Sequence, residues 1–178
     1  MKQKNYSIIG YTYGESGNIP GTNQAPRVLR HFFKLEKRLK NLGHNIEDLG
    51  DTSVENYHEV SNEIEKALDP REKNISNIVP AIASCKKLAE KTKKALDNDS
   101  IPIIIGGDHS LSIASVAEVS NHYNAQGKSI GLIWVDSHGD INTPETSPSN
   151  NLFGMTVACL LGILQGQVTS FQKKTPSV

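Results

Sequence analysis

Apolar positions along the chain alternate between two spacings, and the alternation lays out strands and helices in turn. Tyr6 to Gly10 is a short apolar run closed by glycine, the signature of a strand, and it opens into the Gly- and Asn-rich loop YGESGNIPGTNQ. Val28, Leu29, Phe32, Phe33, Leu35, Leu39 and Leu42 fall mostly three or four apart. That spacing predicts one amphipathic helix from Ala25, with Pro26 in its first turn and Gly43 as its stop. Asn45 to Leu49 reads as a short strand, and Gly50 to Asn74 is polar without a clear period, a mixed loop and short helix. Ile75, Ile78, Ile82, Cys85, Ala89, Thr92 and Leu96 then repeat at helical spacing up to the DNDS turn, giving a second long helix.

Ile101 to Ile105 and Ser129 to Val135 are short, nearly continuous apolar runs rich in isoleucine. This is the pattern of strands covered on both faces in a parallel sheet, with Leu111 to His122 as the helix between them. Asn142 to Asn151 is a polar loop, followed by one apolar helix and a polar tail. Strand, helix, strand, helix, strand in this order implies a layered α/β fold, whose ligands gather at the carboxyl ends of the strands.

Composition narrows the class. With 178 residues, 37% of them hydrophobic, the chain has the size of one domain with a real core, and residues 1–178 carry no internal repeat or linker. Lys plus Arg and Asp plus Glu both number 19. Without a basic field, nucleic acid and anionic lipid are not expected partners. The apolar runs are too short for a membrane span and the N-terminal one too short for a signal peptide. Cys85 and Cys159 form no CxxC pair and sit on apolar stretches, as buried free thiols do in a reducing compartment. The expected location is the cytoplasm.

The chemistry lies where the two apolar runs end. IPIII is followed by Gly106-Gly107-Asp108-His109-Ser110, and SIGLIWV by Asp136-Ser137-His138-Gly139-Asp140. In extended backbone, residues two apart face the same way, so Asp136, His138 and Asp140 can converge on one point, which His109 could join. Carboxylate and imidazole without thiolate suit Mn, Fe or Zn, with the carboxylates leaning toward manganese. A single histidine or aspartate at a strand end is more commonly a hydrogen-bonding residue or a helix cap; four together favour a metal site. A nucleotide site has less support, because neither GxGxxG nor GxxxxGK[ST] occurs.

GGDHS, WVDSHGDINTPET and SPSNNLFGM together resemble the arginase and agmatinase superfamily, and the NTPET loop looks most like arginase. GTNQAPRVLR is similar to the family's opening loop and helix, so the resemblance runs from Ser7 to about Leu164. It implies a three-layer α/β sandwich with a mainly parallel sheet and a binuclear Mn2+ site that hydrolyses L-arginine to L-ornithine and urea. His109, Asp136, His138 and Asp140 match four metal ligands. Asp136 would bridge the two ions, and Asp140 would orient the attacking hydroxide as the catalytic carboxylate. His138, Asn142, Ser149 and Asn151 match substrate-binding positions, the last three reading the amino-acid end of a guanidino substrate through polar contacts.

Three departures bear on activity. The family's second Asp-x-Asp pair is absent, since Glu145 is the one carboxylate after Asp140. Asp48, Asp51 and Asp108 do not have the spacing of a replacement pair. Phe153 stands where the family has a proton-transferring histidine, and Asn150 where glycine is usual. Family members also continue further, so an incomplete arginase-like domain with a half-built sheet and an exposed edge is expected, completed by self-association or a complementing C-terminal polypeptide. The alternatives are agmatinase or another ureohydrolase, and a non-catalytic remnant that binds metal or a partner.

Overall fold

The computed structural model describes residues 3–54 and 57–173. Three strands, β1 (Asn5–Gly10), β2 (Asn45–Asp51) and β3 (Ile101–Ile105), form a sheet in the order β2-β1-β3, with both pairings parallel. The helices are α1 (Ala25–His31), α2 (Leu35–Asn41), α3 (Tyr57–Ala67), α4 (Ile78–Asp97), α5 (Leu111–Asn124) and α6 (Thr156–Leu160).

β1 is the centre of the structure. Ser7, Ile8 and Ile9 are consecutive and all fully buried. Because neighbours on a strand point to opposite faces, the sheet is covered on both sides here. Most of the core comes from α4, which packs on β1, β3, α3 and α5. Its predicted stripe is buried throughout, from Ile78 and Ile82 through Cys85, Ala89 and Thr92 to Leu96. α5 is buried over most of its circumference by small side chains, among them Ala114, Ser115 and Ala117, which allow close approach of the neighbouring helix.

Three expected elements differ. The helix read from Ala25 to Leu42 is broken after His31. Lys34 adopts a left-handed conformation (φ 51°), and Phe32 and Phe33 are 78% and 53% exposed. Their side chains have no core surface to bury against, so the periodic pattern has nothing to hold it straight. The second difference is Ser129 to Val135, which is extended but belongs to no sheet among the described residues. Its side chains still alternate. Ile130, Leu132 and Trp134 are half-buried, whereas Ile133 and Val135 are 89% and 92% exposed. Period two is present, but a strand also needs a backbone partner, and no described strand lies along it. The apolar C-terminal stretch forms the short helix α6, flanked by 3-10 turns, in place of one continuous helix. No helix among the described residues is long and apolar enough to cross a membrane.

Candidate metal centre

β3 ends at Ile105, and Gly106 and Gly107 turn the chain with φ of 80° and 72° before α5 begins. Only glycine fits these two positions. A Cβ at Gly106 would meet the Pro26 ring, and one at Gly107 would meet Tyr11 and the backbone oxygen of Tyr13. Asp108 then locks the turn. Its buried carboxylate accepts the Ser16 N–H at 2.8 Å, the Ser110 N–H at 3.0 Å and the Ser110 hydroxyl at 2.5 Å. Every one of these bonds is internal, so Asp108 anchors the loop after β1 to the end of β3 and is not free to serve as a ligand. Behind it, the Tyr11 hydroxyl lies 3.0 Å from Ser110 Oγ and 3.6 Å from Cys85 Sγ. Burial pushes the Cys85 thiol up to about 12, which removes it from thiolate chemistry near neutral pH.

This scaffold presents His109 to the residues that follow the extended segment. His109 Nδ1 lies 3.2 Å from Asp136 Oδ2 and 3.1 Å from Asp140 Oδ2, and donor atoms of the three residues all lie within 4.8 Å of one another. The route to this convergence differs from simple alternation. Beyond Asp136 the backbone bends, and Asp140 has φ 47°. The bend carries Asp140 inward and leaves His138 outside, its side chain 76% exposed. Asp136 nevertheless faces both histidines. Its Oδ1 accepts the His138 N–H at 2.9 Å and lies 3.3 Å from His138 Nδ1, while Oδ2 faces His109.

The two carboxylates are poised differently. Asp136 is held below the usual carboxylate range, first by the His138 N–H and further by the nearby His109 and His138 rings. Asp140 is raised, chiefly by burial and also by the charge of Asp136, with His109 partly opposing. Oδ2 of Asp140 is buried and has no hydrogen bond of good geometry. An orphaned carboxylate oxygen beside an imidazole nitrogen and a second carboxylate is a donor set suited to a divalent cation of the manganese class, so the residues fit such an ion.

The cluster borders a cleft of about 780 Å³, a size suited to a small-molecule ligand. His138, Asn142, Ser149 and Phe153 line it, together with Asn18 and Ile19 from the loop after β1. Asn142 Oδ1 accepts the Thr146 hydroxyl at 3.1 Å and its N–H donates to Gly154 O at 3.2 Å, which fixes the NTPET turn. Ser149 Oγ accepts the Asn151 N–H at 3.3 Å. Asn151 is absent from the cleft lining, and its Nδ2 donates to Asn18 Oδ1 at 2.6 Å. Sequence reasoning missed two residues here. Asn18 gave no signal inside a long polar loop. Trp134 stacks on His109, and its parity with Asp136 in an alternating run was a signal left unused.

The arginase family model matches residues 4–172. Arginase from Bacillus subtilis is 33% identical over 175 residues, which cover 98% of this chain and 54% of that protein. The structure of arginase from Bacillus caldovelox superposes with a TM-score of 0.81 at 31% identity, covering 99% of this chain and 55% of that one. A formiminoglutamase from Trypanosoma cruzi, solved with Mn2+, shares the fold at 21% identity and a TM-score of 0.61, over 89% of this chain and 48% of its own. The chain thus spans about half the length of the relatives it matches.

Proposed function

Since the chain belongs to the arginase family, we propose that it serves arginase-type hydrolysis of L-arginine to L-ornithine and urea, with manganese held by His109, Asp136, His138 and Asp140. The observation that carries this reading is the convergence of His109, Asp136 and Asp140 at the rim of the cleft, with one carboxylate oxygen orphaned. The closer superposition on an arginase than on a formiminoglutamase, TM-scores of 0.81 and 0.61, supports arginine over other substrates of the superfamily.

Manganese bound in such a site supplies Lewis acidity toward water and the guanidinium group. The remaining work belongs to the chain. Asp136, with one oxygen toward each histidine, would hold manganese together with His109 and His138. Asp140, raised by burial, can accept a proton at Oδ2 or orient a water by hydrogen bonding. Asn142 and Ser149 on the cleft lining would hold the amino-acid end, with Asn151 acting through its bond to Asn18, and Phe153 gives the cleft an apolar wall that cannot move a proton. Residues 1–178 are then an arginase-like domain, spanning about half the length of its relatives, that acts in the cytoplasm.

A second reading has an observation of its own. Among the described residues the compact cluster has three donors, and His138 stands outside it. One ion is provided for better than two. This favours either a one-metal, non-catalytic remnant or a site completed by another polypeptide, a second copy or a complementing C-terminal segment. Elemental analysis of the Mn-loaded chain, with urea assayed in the same sample from arginine and from agmatine, separates these readings. Two Mn per chain with urea from arginine is the expected result. Urea mainly from agmatine would move the assignment to agmatinase, and one Mn or none without urea would establish the remnant.

A further inference from the structure

Trp134 is the sole tryptophan in the sequence. Its ring lies on the His109 imidazole with centroids 4.6 Å apart and planes 11° from parallel. A half-buried tryptophan on an apolar run is ordinarily just covering core, but three observations tie this one to the metal cluster. First, the imidazole it covers is the one whose Nδ1 faces both Asp136 and Asp140. Second, the Trp134 Nε1–H is buried without a well-formed hydrogen bond, as is Asp140 Oδ2, and both residues adjoin the His109 ring. Buried indole N–H groups normally have partners, so the orphaned donor and the orphaned Asp140 Oδ2 mark one polar site. Third, no described hydrogen bond constrains His109 at its other nitrogen, Nε2, where metal-binding histidines usually carry the bond that fixes their ring.

With Nδ1 and the two carboxylates facing it given over to the metal, the stack is the described contact left to hold the His109 plane. Turning the imidazole about its Cβ–Cγ bond would break the parallel face and swing Nδ1 off the carboxylates. Alternation fixes the register: Ile130, Leu132 and Trp134 share the half-buried side, so a slip of one residue would carry Trp134 to the solvent side. We infer that Trp134 is a positioning residue for the metal centre, its indole face clamping the His109 ring so that Nδ1 is presented with Asp136 and Asp140. This inference rests on the metal reading above, and the extended segment thereby becomes part of the site.

The full chain offers readouts other than activity. In the metal-free protein, the His109 ring protons should be shifted upfield by the indole ring current, and the shift should vanish in Trp134→Ala. Mn2+ added to the wild type should quench Trp134 emission, with a midpoint equal to that of Mn2+ binding followed by electron paramagnetic resonance. Loss of an orienting partner typically weakens metal binding by 10- to 100-fold, so Trp134→Ala should bind Mn2+ about tenfold more weakly. Trp134→Phe, which keeps an aromatic face, should restore most of that affinity. Trp134→Leu, which keeps apolar bulk without a face, should not. Wild-type Mn2+ affinity in Trp134→Ala or Trp134→Leu, or unshifted His109 protons, would overturn the inference alone. A wild-type chain that binds no Mn2+ would remove the metal reading and the positioning role together.

Discussion

β2 and the segment from Ser129 to Val135 both read as strands in sequence, and it is the less apolar of the two that pairs. β2 reads NIEDLGD, carries three carboxylates and has no fully buried residue, yet it is a strand. SIGLIWV is apolar and rich in β-formers, yet it is extended chain without a ladder. The difference is the neighbour. β2 pairs along β1 from Asn5 opposite Asn45 to Ile8 opposite Asp48 and, after a one-residue shift, at Gly10 opposite Asp51, while no described strand flanks the apolar segment. Side-chain preference shapes a strand, but backbone pairing makes one. β2 has a second support: Arg30 on α1 pairs with both Asp48 and Asp51, tying the polar strand to the helix beside it.

If pairing along β1 is what sustains β2, the most damaging change is one in β1 itself. Ile9 is fully buried in the main core cluster. Ile9→Ala should cost about 2–5 kcal/mol, the range for emptying a buried isoleucine site. Urea unfolding followed by circular dichroism reads this directly, as a lowered midpoint at unchanged slope. A loss below about 1 kcal/mol would mean that β1 is not the element on which the sheet depends.

The charge clamp on β2 should come next. Asp48 is buried enough to raise its pKa, but hydrogen bonds from Arg30 and the Gly50 N–H outweigh this and hold it below the usual value. A carboxyl lowered on folding contributes stability that is fully present above its unfolded pKa of about 3.9, and loses it as pH falls through the folded value. Arg30→Met should therefore lower stability by about 1 kcal/mol near neutral pH, a figure kept small because the pair is partly solvated. The gap from wild type should close below about pH 4. A gap that stayed constant into acid would assign the Arg30 contribution to packing of its aliphatic stem.

These contrasts also show what the sequence could disclose. The stripe on α4, the strands β1 and β3 and the glycine pair before His109 were legible because each signal is local: a period, an apolar run, a residue without Cβ. The break after His31 was not legible, since Phe32 and Phe33 continue the helical spacing and only the absence of a surface beneath them ends it. In the site, the residue types and their strand-end placement were legible. The geometry was not, because a turn at Asp140 rather than alternation sorts Asp140 inward and His138 outward. Asp108 was weighed as a stray ligand, although its carboxylate is consumed by Ser16 and Ser110. Such commitments depend on residues far apart in sequence.

The smallest effect belongs to the unpaired segment and tests the contrast most directly. Ile133 is 89% exposed, so Ile133→Ala removes methyl groups already in water and should change stability by less than about 0.5 kcal/mol. Exchange of the amide hydrogens from Ile130 to Val135 should be correspondingly fast, while those of Ile8 and Ile9 exchange only through global opening. The same variant behaves differently once a second polypeptide pairs with the segment and covers its outer side. Ile133 would then be interior, and alanine there would cost as much as at Ile9. Measured alone and in the presence of a complementing chain, Ile133→Ala thus reports whether the ladder has formed. A large loss in the isolated chain would mean that the apolar run already has a partner and that its likeness to a strand is more than alternation.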